Sequence, residues 1–159
     1  MSGMKLYVKR HDGSAATTED FVKAIYEGSI SDNLPVRFDI NQFQDWYYKP
    51  GTPNVLISRT WNPESGHLKL KFEQYFLKNG NKISCEPLVI PIKTAVITTK
   101  GRIGEEHLII VDKLHQEFSI LNLPKQKLPP VISTFRSFSA PVKWETDLTI
   151  DEQIHLLKF

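Results

Sequence analysis

Pro50-Gly51-Thr52-Pro53 divides this chain into two kinds of sequence. Proline removes a backbone donor and fixes φ, so neither a helix nor a central strand runs through such a stretch. Before it, apolar residues recur every three or four positions. After it, they alternate. A spacing of 3.6 and a spacing of 2 cannot serve one element, so the 159 residues must fold as a helical part followed by a sheet part.

Upstream, Met4, Leu6, Tyr7 and Val8 lead to Asp12-Gly13, where glycine suits a left-handed helix stop. Thr17 offers an N-cap, and Asp20 three residues on completes an approximate capping box. Phe21, Val22, Ile25 and Tyr26 form an apolar face expected to end at Gly28. Asp39 caps a third helix, with Gln42 at the capping-box position and Ile40, Phe43, Trp46 and Tyr47 along one side.

Downstream, Val55, Ile57 and Thr60 mark the inward face of a strand that reaches Trp61, and 62–66 is a turn cluster. Leu68, Leu70, Phe72 and Gln74 alternate next, so 55–75 reads as an antiparallel hairpin. Asn79-Gly80 is a second turn. Residues 88–99 form one strand or a bent pair, with Pro91 at an edge or a bulge. Gly101 and Gly104 punctuate before a strand at 107–112, and further strands fall at 118–121, 131–136 and 142–145. About seven short strands with a turn every ten residues make the chain mainly β, an antiparallel sandwich preceded by two or three short helices. One helix follows at 149–159, with Ile150, Ile154 and Leu157 at helical spacing and Asp151 and Glu152 in its first turn. Helices without a core before them, and a last helix without a cap, give both ends a severed look.

Charge excludes one class of partner. The 20 basic residues nearly balance 18 acidic ones, for a net charge of +2, and the lysines are scattered, so no nucleic acid is expected. Apolar runs such as 108–111 are strand-sized, too short to cross a membrane. Met1-Ser2-Gly3 leads directly into charged helix sequence, with no signal peptide in view. The single cysteine, Cys85, excludes an internal disulfide and suits a reducing compartment. A soluble, cytoplasmic protein is expected.

Three segments resemble the aminopeptidase N family of zinc metallopeptidases, in its bacterial and plant alanyl aminopeptidase branch. One runs from Gly3-Met4-Lys5-Leu6-Tyr7 through Arg10-His11-Asp12-Gly13-Ser14-Ala15-Ala16-Thr17 to Asp20-Phe21-Val22. The others are Phe43-Gln44-Asp45-Trp46-Tyr47 with Gly51-Thr52-Pro53, and Phe138-Ser139-Ala140-Pro141-Val142-Lys143. The resemblance implies that residues 1–50 are the last helices of a truncated catalytic domain. It makes 51–146 an immunoglobulin-like β-sandwich and 147–159 the start of a C-terminal helical domain. Tyr48-Lys49-Pro50 replaces the family's short polar stretch before the glycine.

The same resemblance supplies an activity but no site. The family's zinc motif, His-Glu-x-x-His on a helix, is absent, as is its Gly-x-Met-Glu-Asn motif for the substrate amine. Catalytic residues: none. Cofactor-binding residues: none. Metal ligands: none. Zinc would belong to the parent enzyme and not to this fragment.

Other chemistry-bearing residues have ordinary readings. His11 suits local hydrogen bonding more than a metal. His115 and Glu117 share one strand face, but a metal would also need His107 from another strand. His67 and His155 read as solvated, and Cys85 as an idle thiol. Asp12-Gly13 and Asn79-Gly80 read as turns, and the Gly-x-x-Gly of 101–104 is too weak for a phosphate loop. Lys125 and Lys127 sit in a proline-flanked loop. Trp46, Tyr47 and Tyr48 suit packing between the third helix and the sandwich, with a ligand platform as the other reading, and Trp61 and Trp144 suit a core.

The leading expectation is a non-catalytic linker domain of an aminopeptidase that removes N-terminal residues from peptides. Its partners would be the catalytic and C-terminal helical domains of the same polypeptide, with peptide substrate held only by the parent. The alternative is an independent immunoglobulin-like module that binds a protein or a carbohydrate.

Overall fold

The computed structural model describes residues 2–34, 38–83, 85–98 and 101–157, with the side chains of 102–105 left aside. The chain divides into two compact units, Met1–Pro50 and Gly51–Phe159.

The first unit holds α1 (Ser2–His11), α2 (Thr18–Ser31) and α3 (Ile40–Tyr48). The α1 stop falls where the glycine predicts it, with Gly13 at φ +72°. Both halves of the capping box form: the Asp20 amide donates to Thr17 Oγ1, and the Thr17 amide donates to the Asp20 carboxylate at 3.0 Å. Those bonds hold the Asp20 carboxyl below its ordinary range. Asp39 accepts from the Asn41 amide at 2.8 Å and caps α3.

Gly28 does not end α2, which continues to Ser31. Its role is to let two backbones touch. A Cβ at Gly28 would stand 2.1 Å from the Gly3 nitrogen and 2.2 Å from its Cα, and a Cβ at Gly3 would stand 2.7 Å from the Ile25 Cα. Both glycines are buried. Arg10 and Glu27 close the same helix pair at 2.7 Å. Tyr7 meets Phe21 edge-on at 5.2 Å, and Phe38 lies against both Tyr26 and Phe43.

The second unit is a sandwich of eight described strands: β1 (Asn54–Asn62), β2 (His67–Lys78), β3 (Asn81–Ile83), β4 (Ile90–Thr98), β5 (Gly101–Val111), β6 (His115–Ile120), β7 (Val131–Ser133) and β8 (Lys143–Thr146). One sheet runs β3-β2-β1-β8, with β6 also paired to β2; the other runs β5-β4-β7. The predicted 55–75 hairpin forms, with Asn62 opposite His67 and Asn54 opposite Tyr75. One pair departs from the antiparallel rule: β8 lies parallel to β1, Asn54 against Lys143 through Ile57 against Thr146.

The core lies between the sheets. Val55, Ile57, Leu68, Leu70 and Phe72 come from one, and Ile90, Ile92, Ile97, Ile109 and Ile132 from the other, all buried. Each buried aliphatic side chain of this size contributes about 1.5–3 kcal/mol.

Several details differ from the sequence reading. The inward row of β1 continues from Val55 and Ile57 to Arg59, because a strand repeats every two residues; Thr60 is exposed. The bulge in β4 falls between Thr94 and Val96, so of the edge or bulge expected for Pro91 it is the edge that holds: among the described residues β7 reaches Ala95–Ile97 of β4, and Pro91 is paired on the β5 side. The strand from 131 ends at Ser133, since Phe135, Ser137 and Phe138 all adopt left-handed φ near +52 to +55° around a short 3-10 turn, Arg136–Phe138. Gly104 lies inside β5 and not ahead of it.

Candidate functional site

Among the described residues, no group of three or more His, Cys, Asp or Glu side chains gathers to hold a metal ion. His107 belongs to β5 and His115 and Glu117 to β6, so the two parts of the possible triad sit in different sheets. Glu117 is taken up by Lys69 at 2.8 Å and Lys71 at 3.6 Å, which hold its carboxyl below the ordinary range. His11 lies in the first unit with its ring 5.4 Å from that of Tyr7. His67 is exposed, and His155 and Cys85 are half-buried. These residues do not fit a zinc site.

The glycine turns have structural places. Asn79 and Gly80 both take positive φ and join β2 to β3. Gly101 begins β5. Lys125 and Lys127 are exposed. Trp46 is half-buried while Tyr47 and Tyr48 are exposed, with the Tyr48 hydroxyl donating to Glu19. Trp61 is half-buried and donates from Nε1 to the Gln126 carbonyl at 2.9 Å. Trp144 is not a core residue: it is 47% exposed and stacks on the buried Phe135 at 4.9 Å between ring centres.

Two polar groups inside the second unit tie distant segments together. Gln74 ends the inward row of β2. Its Nε2 donates to the carbonyls of Leu88 (2.9 Å), Val111 (3.1 Å) and Lys113 (3.2 Å), and its Oε1 accepts from the Leu88 amide at 3.0 Å. One carboxamide therefore joins the β2 sheet to both the segment before β4 and the end of β5. Its position after Leu68, Leu70 and Phe72 was the sequence signal.

Arg59 ends the inward row of β1, with only 6% of its side chain exposed. Nε donates to Asp147 Oδ1 at 2.8 Å. One Nη donates to Glu152 Oε1 (2.9 Å) and the Pro130 carbonyl (3.2 Å); the other donates to Glu152 Oε2 (2.9 Å) and the Asp147 carbonyl (3.4 Å). All five guanidinium N–H groups are used. Even the Arg59 backbone amide donates to Asp147 Oδ2, at 2.6 Å. Burial alone would lower the pKa of the guanidinium, but bonding to Glu152 and the charge of Asp147 outweigh it and raise it. Glu152 in turn is held below the carboxylate range, mainly by its bonds to Arg59.

Glu152 belongs to α4 (Ile150–Leu156), whose cap is Thr149. A groove of about 610 Å³ lies beside this node, lined by Ile132, Trp144, Leu148, Gln153 and Leu156 among others. Its lining also includes the hydroxyl residues Ser133, Thr134 and Thr146 and the carboxylate Glu145. Sequence reasoning passed over Arg59; a cation in phase with Val55 and Ile57 was the available sign.

Residues 51–147 match the family model described as "Domain of unknown function (DUF3458) Ig-like fold". The chain is 31% identical over 163 residues to aminopeptidase N of Escherichia coli (strain K12), across 98% of this chain and 18% of that protein. It is 32% identical to aminopeptidase N of Haemophilus influenzae, across 99% of this chain and 18% of that one. Among solved structures it resembles Legionella pneumophila aminopeptidase A in complex with aspartic acid, with a TM-score of 0.79 and 27% identity over 99% of this chain and 16% of that one. The chain thus spans less than a fifth of the length of these relatives.

Proposed function

Since the chain belongs to the DUF3458 family of immunoglobulin-like domains and aligns with aminopeptidase N nearly end to end, we propose that it is a non-catalytic structural module of a zinc-dependent aminopeptidase. In this reading the parent polypeptide removes N-terminal residues from peptides, and its zinc and catalytic base lie in its other domains. The module holds a catalytic and a helical domain in fixed relation. Its single cysteine suits a reducing compartment, and a cytoplasmic location is part of the proposal.

The observation that carries this reading is the pairing of a full-chain alignment to an aminopeptidase with the absence, among the described residues, of any cluster able to hold a metal. The polar side chains that are buried serve architecture instead. Exposed apolar residues support it from a second direction. Ile150, Ile154 and Leu157 are 75%, 54% and 86% exposed, and Met4 and Val8 are exposed on α1. A self-contained binding module would cover such residues.

The test is an assay of this chain alone, with added zinc, on an alanyl chromogenic substrate, beside the longer polypeptide that carries it. The expected result is no turnover from the chain alone, and chelator-sensitive turnover from the longer protein. Zinc-dependent turnover by residues 1–159 would overturn the proposal.

A further inference from the structure

A helix needs something to keep it folded, and α4 has little. It has seven residues, below the length at which a helix persists in water. None of its residues is buried; Ile150 and Ile154 face solvent, and Leu156 is half-buried at the groove it shares with Ile132 and Trp144. The tie on which its cap depends is one carboxylate with two employers. Glu152 Oε2 accepts from the Thr149 amide at 2.8 Å and Thr149 Oγ1 at 3.1 Å, which closes the helix cap, and also from the Arg59 guanidinium at 2.9 Å. The remaining Glu152 oxygen is bonded to Arg59 as well. Asp147, just ahead of the cap, is tied to the same guanidinium and to the Arg59 amide.

We propose that α4 is a conditional helix and that Arg59 is its latch. With the fork closed, residues 150–156 are held near β1 and fold as a helix. With the fork broken they become flexible chain while the sandwich, the buried Leu148 included, stays folded. The helix forms where it docks, because the group that caps it is the group that docks it. The segment that leaves the sandwich therefore has two states, a directed helix and a loose tether, chosen by one arginine. This inference concerns the second unit by itself and holds whether or not the parent is an aminopeptidase.

The experiment is ¹³Cα chemical-shift measurement on the full chain, comparing the unaltered protein with Arg59→Met and Glu152→Gln. Glutamine also completes a capping box, so Glu152→Gln keeps the cap and removes the charge that Arg59 grips. The expected result is loss of the helical shifts of 150–156 in both variants, with the shifts of β2 and β4 unchanged. Helical shifts retained at 150–156 in Glu152→Gln would overturn the latch. So would collapse of the β2 and β4 shifts in that variant, because the helix would then not be separable from the sandwich.

Discussion

Replacing Gln74 with leucine keeps the volume and removes every polar atom. Three groups then lose their partner while remaining out of water: the Leu88 amide, the Leu88 carbonyl and the Val111 carbonyl, since Leu88 and Val111 are buried. The Lys113 carbonyl belongs to an exposed residue and can turn to water. An orphaned buried group costs about 1–3 kcal/mol. Three of them at the middle of that range, less about 1–2 kcal/mol regained from the buried leucine, give a loss of about 4–5 kcal/mol. With a urea slope of about 1–3 kcal/mol per molar for a small domain, the midpoint should fall by roughly 2 M, with little change in slope. Gln74→Glu should be worse at neutral pH, because a buried carboxylate faces three carbonyls. Its carboxyl would be raised above the ordinary range, so the loss should shrink as pH falls and the acid regains one donor. Gln116 makes a similar pair of bonds, to the Ile110 carbonyl and the Asp112 amide, but is only part-buried; Gln116→Leu should cost about 1 kcal/mol. If Gln74→Leu costs no more than Gln116→Leu, the sheets are not joined through this carboxamide and the reasoning fails.

Gly28→Ala should destabilise the first unit by about 2–3 kcal/mol or more, because its methyl would overlap the Gly3 backbone; thermal unfolding followed at 222 nm would read this, and an unchanged midpoint would refute the close crossing. Ser137→Gly should be neutral to stabilising by up to about 1 kcal/mol, since Ser137 is exposed at φ +55° and glycine relieves the strain; a clear loss in a urea titration would count against it. Glu152 is held below its ordinary pKa, so its contribution is complete above the ordinary carboxylate range and is lost as pH falls through the lowered value. The helical signals of α4 should therefore be constant from pH 7 to about 5 and fade only below about 4; fading above pH 5 would contradict the fork.

Much of the fold was readable because local signals agreed with one another. The 62–66 turn, the alternation of Leu68, Leu70 and Phe72, and the Thr17–Asp20 box each depend on neighbours in sequence, and each forms. What failed depends on contacts distant in sequence. Gly28 looks like a stop until α1 is placed across it. Phe135 looks like strand until its ring is needed against Trp144. The parallel β1–β8 pair joins residues some ninety positions apart, and no spacing rule reaches that far. Arg59 was missed for a different reason. Its phase placed it inward, but a buried arginine makes sense only once Asp147 and Glu152 are known to converge on it.

The parallel pairing of β1 and β8 has a mechanical consequence. The chain comes into the sandwich at the start of β1 and leaves at the end of β8, which runs alongside in the same direction. A pull on the two flanking segments therefore acts along the strands in opposite senses, and it slides β8 past β1 instead of peeling it away. In sliding, the hydrogen bonds between the two strands resist together; in peeling, they would yield one by one. A first and last strand paired antiparallel would open like a zip under the same tension. This sandwich is connected to resist being drawn out.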